Sequence, residues 1–526
     1  MKNKLFLLVA LIAITNFGCV KKDILAEKSA STQIQKLDES KSKLAANLIT
    51  PGAIDDPNIS YFGRWDRTSS TTQYTSEWGG AYLKVKFTGT SVKLKVGTTT
   101  DYFVKIDNGD WINFIGKTGT INLTPTPLSS GTHTLLVAQG KDYSYVFNFQ
   151  GLILDAGATT SAPATGTDLI EYIGDSITAG YRDSIPGHGR ANVLDYAWLS
   201  AESIGAEHTQ IAYPGIALIT GNGANASNKT GMESQYFKKQ SLASSAPTDW
   251  DFSNYTPKII VLNLGQNDGG SSDSIFQDHY VPFLAAVRTK FPNAEIFVMR
   301  TFSGTKAAPT AAAVNARIAA GDNKIHYVDT NGWLTTGSSD FVPGDNVHPS
   351  ASGQAKAAML LAPILSPYLT GGTAPVPVLL DNCDALTGWS SQNTLTLNTT
   401  DKKEGSAALQ SVGSGTLEFQ KHFASVINTG ATQANGSIRF WYYVSDITKL
   451  SASNQIELGS AGGADVSEYN WNIGTLVNGW NLVTKTFSSA GSTGGVPNLN
   501  AVNWFRIYHA KTDIVTTKVD NIQIVH

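Results

Sequence analysis

Four short blocks of this 526-residue chain hold residue types that together could carry out acyl transfer. They are Gly174-Asp175-Ser176-Ile177-Thr178, Tyr213-Pro214-Gly215, Gly265-Gln266-Asn267-Asp268 and Asp345-Asn346-Val347-His348-Pro349. A serine hydroxyl is inert at neutral pH unless a base takes its proton, so Ser176 needs a partner. His348 can be that base, because imidazole ionises near working pH. Asp345 stands three residues earlier, so one turn can hold both side chains, and a carboxylate there orients the imidazole and stabilises its cation. Attack on an acyl carbonyl also creates an oxyanion that needs fixed donors. Gly215 offers an N–H unobstructed by a Cβ, Asn267 an amide NH₂ and Ser176 its own N–H. Losing one such donor costs roughly 3–4 kcal/mol in serine proteases.

Taken singly, each residue has a plainer reading. A serine in Gly-Asp-Ser is commonly a turn or a helix cap. Gly-Gln-Asn-Asp reads as a loop, and most of the nine histidines as surface or core residues. His188 is nearer to Ser176 in sequence but has no carboxylate at a useful offset. The case rests on the four blocks occurring together and in this order.

The surrounding elements explain how the blocks can meet. Leu169–Ile173, His208–Tyr213, Lys258–Leu264, Glu295–Met299 and Ile325–Val328 are short apolar runs of parallel-strand type. Helical spacing covers Ile275–Phe291 and Pro309–Ala320, and a last helix is expected over Ala351–Leu365. Strand and helix in alternation imply a parallel sheet covered on both faces. The first three blocks each end a predicted strand and the fourth precedes the last helix. Ligands of such sheets bind at the carboxyl ends of the strands, so the blocks can converge on one crevice.

As a set, Ser176, Gly215, Asn267 and His348, with Asp345, resemble the signature of the SGNH/GDSL hydrolase superfamily over roughly residues 168–368. That resemblance implies a three-layer α/β, flavodoxin-like domain with Ser176, His348 and Asp345 as catalytic residues and Ser176, Gly215 and Asn267 as the oxyanion hole. Thr178 stands where the α/β-hydrolase elbow Gly-x-Ser-x-Gly has its second glycine, which argues against that other fold. The run Glu171-Tyr172-Ile173-Gly174-Asp175-Ser176-Ile177-Thr178-Ala179-Gly180, directly after a β module, is also similar to carbohydrate esterase family 2. The resemblance implies removal of acetyl groups from plant-wall polysaccharides. Members of that group often lack the Asp before the histidine, and Asp345 is a departure from them.

Flanking regions read as β-rich. In Tyr82–Phe87 and Val92–Val96, apolar residues alternate with lysines, the period of a sheet with one wet face. Further strands are expected at Tyr102–Ile106, Thr134–Ala138 and Tyr145–Leu154, making a β-sandwich or jelly roll over 53–157. After linkers at 157–167 and 370–377, β character returns at Ser437–Val444, Gln455–Leu458, Trp480–Phe487, Trp504–Tyr508 and Lys518–Val525. The expected organisation is therefore an α/β hydrolase domain, 168–370, flanked by two β-sandwich domains, 53–157 and 376–526. The last resembles carbohydrate-binding jelly rolls, in which a calcium ion often ties the first and last strands. Asp381 and Asp520 are the nearest carboxylates for it, although both also read as ordinary strand-end residues. Most of Trp389, Trp441, Trp471, Trp480 and Trp504 should be core.

Residues 1–18 read as a lipoprotein signal peptide. Lys2 and Lys4 precede the apolar run Leu5–Ile14, which is too short to span a bilayer. Asn16-Phe17-Gly18-Cys19 resembles a lipoprotein cleavage box with Cys19 as the lipid acceptor, and 19–52 read as a polar tether. The expected location is the bacterial cell envelope, anchored to the outer membrane or cell surface through Cys19. The other cysteine, Cys383, then has no disulfide partner.

A net charge of −3 with no basic block excludes nucleic-acid binding through phosphate electrostatics. No His-Glu-x-x-His or thiolate cluster suggests a catalytic metal, and no cofactor is expected. The expected function is a lipid-anchored serine esterase acting on acetylated polysaccharide or oligosaccharide. The alternatives are an SGNH esterase for aryl, thio or lysophospholipid esters, and a surface glycan-binding protein with a dead hydrolase domain.

Overall fold

The computed structural model describes residues 50–525 apart from positions 108, 141–145, 186–188, 191, 225–227, 372–376, 434–435 and 475. Cys19, the signal segment and His188 lie outside the described residues. No helix among the described residues is long and apolar enough to cross a membrane.

The central region is a five-stranded parallel sheet. Its strands are β1 (Leu169–Gly174), β2 (Glu207–Ala212), β3 (Ile259–Asn263), β4 (Glu295–Met299) and β5 (Ile325–Val328), in the order β2-β1-β3-β4-β5. All neighbouring pairs are parallel. These fall on the five runs expected from the sequence, and β1 to β4 are buried almost throughout because helices cover both faces, although β2 carries the polar residues Glu207, His208, Thr209 and Gln210. On one face α1 (Tyr196–Ser203) and α4 (Ala351–Leu365) pack over Ile170, Tyr172, Val261 and Phe297. On the other, α2 (Asp273–Lys290) and α3 (Ala307–Ala319) cover Ile173, Ile260, Leu262 and Val298. The α2 stripe is Phe276, Tyr280, Phe283, Leu284 and Val287, at the three- and four-residue spacing of one helix face. Ser272 and Ser350 cap α2 and α4 by accepting the N–H groups of Ile275 and Gly353.

Before this region lies a nine-stranded antiparallel sheet around a single apolar cluster. Hydrogen bonding connects all of its strands. The reason is Val92–Ile106, whose first half pairs with Phe147–Leu154 and whose second half pairs with Gly131–Gln139. It also carries Ile112–Asn122, a strand the sequence pattern misses. A buried cation fastens this sheet to the central region. Arg64, wholly buried, lies 3.8 Å from Glu171 of β1 and donates to the carbonyl oxygens of Tyr236 and Lys238 and to the Tyr255 hydroxyl. The rings of Trp78, Tyr236, Trp250 and Phe252 surround its guanidinium.

The C-terminal region contains two six-stranded antiparallel sheets sharing one apolar core. Lys485 from it pairs with Asp329, just after β5, at 2.8 Å. Asn315 of α3 accepts from Leu482 N–H. Trp441, Trp471 and Trp504 are buried, whereas Trp389 and Trp480 are half-buried. Of the two calcium candidates, Asp381 pairs with the Lys421 ammonium at 2.5 Å, and Asp520 accepts the N–H groups of Lys403 and Glu404 through Oδ2. Among the described residues no group of three or more His, Cys, Asp or Glu side chains could hold a metal ion. Cys383 is a buried free thiol.

Candidate active site

Ser176 sits in the turn that leaves β1, one residue beyond Asp175 and only 4% exposed. The turn closes through Ala179 N–H to Asp175 O and Tyr181 N–H to Ser176 O. Gly174 is required where strand becomes turn, since a Cβ there would stand 2.0 Å from Thr178 Oγ1 and 3.0 Å from Asn263 O. The buried amide of Gln354, on α4, pins this turn by donating to Ile177 O while accepting Tyr196 N–H of α1.

His348 reaches Ser176 from the loop before α4. Its Nε2 is 2.9 Å from Ser176 Oγ and its Nδ1 is 2.7 Å from Asp345 Oδ2. A carboxylate can only accept, so Nδ1 carries the proton and Nε2 is left to accept from the serine hydroxyl. The loop is braced by Val342 N–H to His348 O and Asp345 N–H to Val342 O. The Tyr181 ring packs edge-on against the imidazole at 5.0 Å.

All of the accepting capacity of Asp345 is used. Oδ1 takes the N–H groups of Val347 and His348 at 2.9 and 3.1 Å. Oδ2 takes His348 Nδ1 and, at 2.8 Å, Arg182 Nη1. Burial alone would raise this carboxyl, but the hydrogen bonds from the His348 ring and the two backbone N–H groups outweigh it and hold it at about 2.

The blocks after β2 and β3 come together beside the serine. Gly215 has a left-handed φ of +81°, a conformation that favours glycine. Neither its N–H nor that of Ser176 has a hydrogen-bond partner among the described residues. The Asn267 amide donates to Ile216 O at 2.9 Å and lies a long 3.4 Å from Asp175 Oδ2, so one of its hydrogens is weakly engaged. Asp268 ties the two loops by accepting Leu218 N–H, Ile219 N–H and the Asn222 amide. Burial raises its carboxyl, and burial together with the Asp268 charge pushes Asp175 up to about 7.

Four supporting residues escape a reading of the sequence: Arg182, Asp268, Gln354 and Tyr181. Asp268 was next to Asn267 in its block, and only that adjacency hinted at it. Nothing local marks the others.

The arrangement can deprotonate a hydroxyl against a bound acyl group, and the sequence comparisons agree with that class. Residues 172–356 match the GDSL-like Lipase/Acylhydrolase family, and residues 61–163 match the Carbohydrate esterase 2 N-terminal family. The chain thus joins a GDSL-like hydrolase domain to the N-terminal domain of family 2 carbohydrate esterases.

Particular relatives narrow the class. The chain is 30% identical over 332 residues to the Cellulase/esterase CelE of Acetivibrio thermocellus, a match covering 59% of this chain but only 39% of that one. It is 22% identical over 313 residues to the Acetylxylan esterase / glucomannan deacetylase of Cellvibrio japonicus, covering 55% of this chain and 84% of that one. Among solved structures, a family two carbohydrate esterase from Clostridium thermocellum, in complex with cellohexaose, superimposes with a TM-score of 0.51 at 25% identity, over 58% of this chain and 98% of that one.

Proposed function

We propose that this protein is a secreted, lipid-anchored serine esterase that removes acetyl groups from polysaccharides. The hydrogen-bonded chain Ser176–His348–Asp345 carries this reading, and the acetylxylan esterase among its relatives supports the substrate class. The anchor rests on the signal-like start and Cys19 alone.

In this mechanism His348 Nε2 takes the Ser176 proton as Oγ attacks the acetyl carbonyl, and Asp345 stabilises the imidazolium that forms. The oxyanion is met by the N–H groups of Ser176 and Gly215 and the weakly engaged hydrogen of the Asn267 amide. The tetrahedral intermediate collapses as His348 returns the proton to the sugar oxygen, which leaves as an alcohol. Water then attacks the acetyl-enzyme by the same route in reverse, releasing acetate and restoring Ser176.

The competing readings are an SGNH esterase for aryl, thio or lysophospholipid esters and a glycan-binding protein with a dead site. An intact Ser176, Asn267, Asp345 and His348 speak against decay. The test measures acid release from acetylated xylan, acetylated mannan and a phospholipid side by side, with Ser176→Ala as control. Acetate should come from a polysaccharide, and Ser176→Ala should be inactive with an unchanged far-UV circular dichroism spectrum. Turnover of the phospholipid alone would overturn the substrate class. Retention of more than about 5% activity in Ser176→Ala would overturn the nucleophile, since a serine enzyme without its hydroxyl keeps only traces.

A further inference from the structure

The turn that carries Ser176 does not end at the serine. Five and six residues on, it supplies Tyr181, whose ring lies edge-on to His348, and Arg182, whose Nη1 donates to the same Asp345 oxygen that His348 Nδ1 uses. Arg182 occupies this place with a φ of +64°, in the left-handed region that strains a non-glycine residue. A strained residue that completes the fourth hydrogen bond of a carboxylate is a built feature and not a stray surface contact.

We propose that Arg182 is a positioning residue of the esterase: it locks the Asp345 carboxylate in the plane that His348 needs and limits how strongly Asp345 stabilises the imidazolium. The first effect is geometric. With Oδ1 held by two backbone N–H groups, the Arg182 contact fixes the remaining freedom of Oδ2. The second is electrostatic. A cation 2.8 Å from Oδ2 opposes the attraction between that oxygen and a positive imidazole. Removing the guanidinium therefore leaves the Asp345 charge to act on the imidazole unopposed. Other titratable groups on the segments meeting His348 are Tyr181 and the buried Asp183 on the serine turn, and Asp175 and Asp268 behind the serine. The Asp175 ionisation is common to wild type and Arg182 variants, so a difference between their profiles isolates the guanidinium.

The experiment compares pH–rate profiles on a soluble acetyl ester for wild type, Arg182→Met, Arg182→Lys and Arg182→Gly, each first checked for an unchanged melting curve. Arg182→Met should move the acid limb of kcat up by about half a pH unit, the size an exposed ion pair reaches. Plateau kcat should fall about three- to tenfold as the carboxylate loses its lock, with KM within about twofold. Lysine should restore the limb, since it keeps the charge, but only part of kcat, since it lacks the planar fork. Glycine relieves the left-handed backbone, so it should match methionine if the side chain and not the strain matters. An unshifted limb in Arg182→Met, or a lysine variant indistinguishable from methionine in its limb, overturns the proposal. The inference rests on the esterase reading, and Ser176→Ala separates the two. An active Ser176→Ala ends both, whereas an inactive Ser176→Ala with an unshifted Arg182→Met ends only the role of Arg182.

Discussion

Replacing Asp345 by asparagine tests the third member of the chain more sharply than deleting it, because the amide has two ways to fit and the structure decides between them. If the amide oxygen keeps the Oδ2 place, it still accepts from His348 Nδ1 and Arg182. Its NH₂ then faces the N–H groups of Val347 and His348, which today bond to Oδ1 at 2.9 and 3.1 Å. Two fixed backbone donors against two amide donors is a clash that neither side can leave. In the flipped orientation the oxygen satisfies those backbone groups, and the NH₂ faces Arg182 and the imidazole. Arg182 is 44% exposed at its side chain and can swing into water. The imidazole can move its proton to Nε2, so that Nδ1 accepts.

The flipped form therefore wins, and it leaves Nε2 a donor that cannot take the Ser176 proton. The expected loss is about 10⁴ in kcat, roughly 5 kcal/mol of barrier, as the same change costs a serine protease. The assay is steady-state hydrolysis of a soluble acetyl ester, with His348→Ala as the near-inactive reference. A loss of only about 10- to 150-fold would mean that the oxygen stayed toward His348 and that one charge-assisted hydrogen bond was weakened. A loss under tenfold would refute the reasoning, because Asp345 would then be holding a loop and the base would be oriented by something else.

Two further outcomes follow from other parts of the molecule. The groups around Ser176 and His348 are short or polar (Gly215, Asn267, Asp345 and Arg182), so kcat/KM should be higher on an acetyl than on an octanoyl ester; the reverse order would remove the acetyl preference. Arg64→Met should lower stability by roughly 3–5 kcal/mol, because it leaves the Glu171 carboxylate buried without its cation. A melting temperature within about 1 °C of wild type would show that the buried pair contributes nothing net, since even 1 kcal/mol moves the melting point of a 150–250-residue domain by about 2–4 °C.

Elements with a strong period were legible in the sequence. Strands β3 and β4 were visible as apolar runs because a strand covered on both faces is mostly apolar, whereas β2 is buried throughout although it carries Glu207, His208, Thr209 and Gln210. Helix α4 was legible to the residue, and α2 and α3 to within two, since a helix against a sheet must show an apolar stripe. Helix α1 was missed: Tyr196–Ser203 is short and buried on nearly every side, so it has no polar face to reveal its period. Ile112–Asn122 was missed for the opposite reason. Most of that strand is exposed, and its lysine, threonine and glycine residues carry no burial pattern.

The chemical identities at the site were likewise determined by the sequence. Ser176, Gly215, Asn267, Asp345 and His348 stand out because their four blocks occur together and in order, three after strands and one before the last helix. What only the tertiary structure decided is how that set is held. The Gln354 amide on the turn, the Asp268 carboxylate between two loops and the Arg182 guanidinium on Asp345 act across 177, 50 and 163 residues of chain. Hydrogen bonds at such separations leave no local period or spacing. They exist only because a parallel sheet brings the carboxyl ends of strands distant in sequence to one edge.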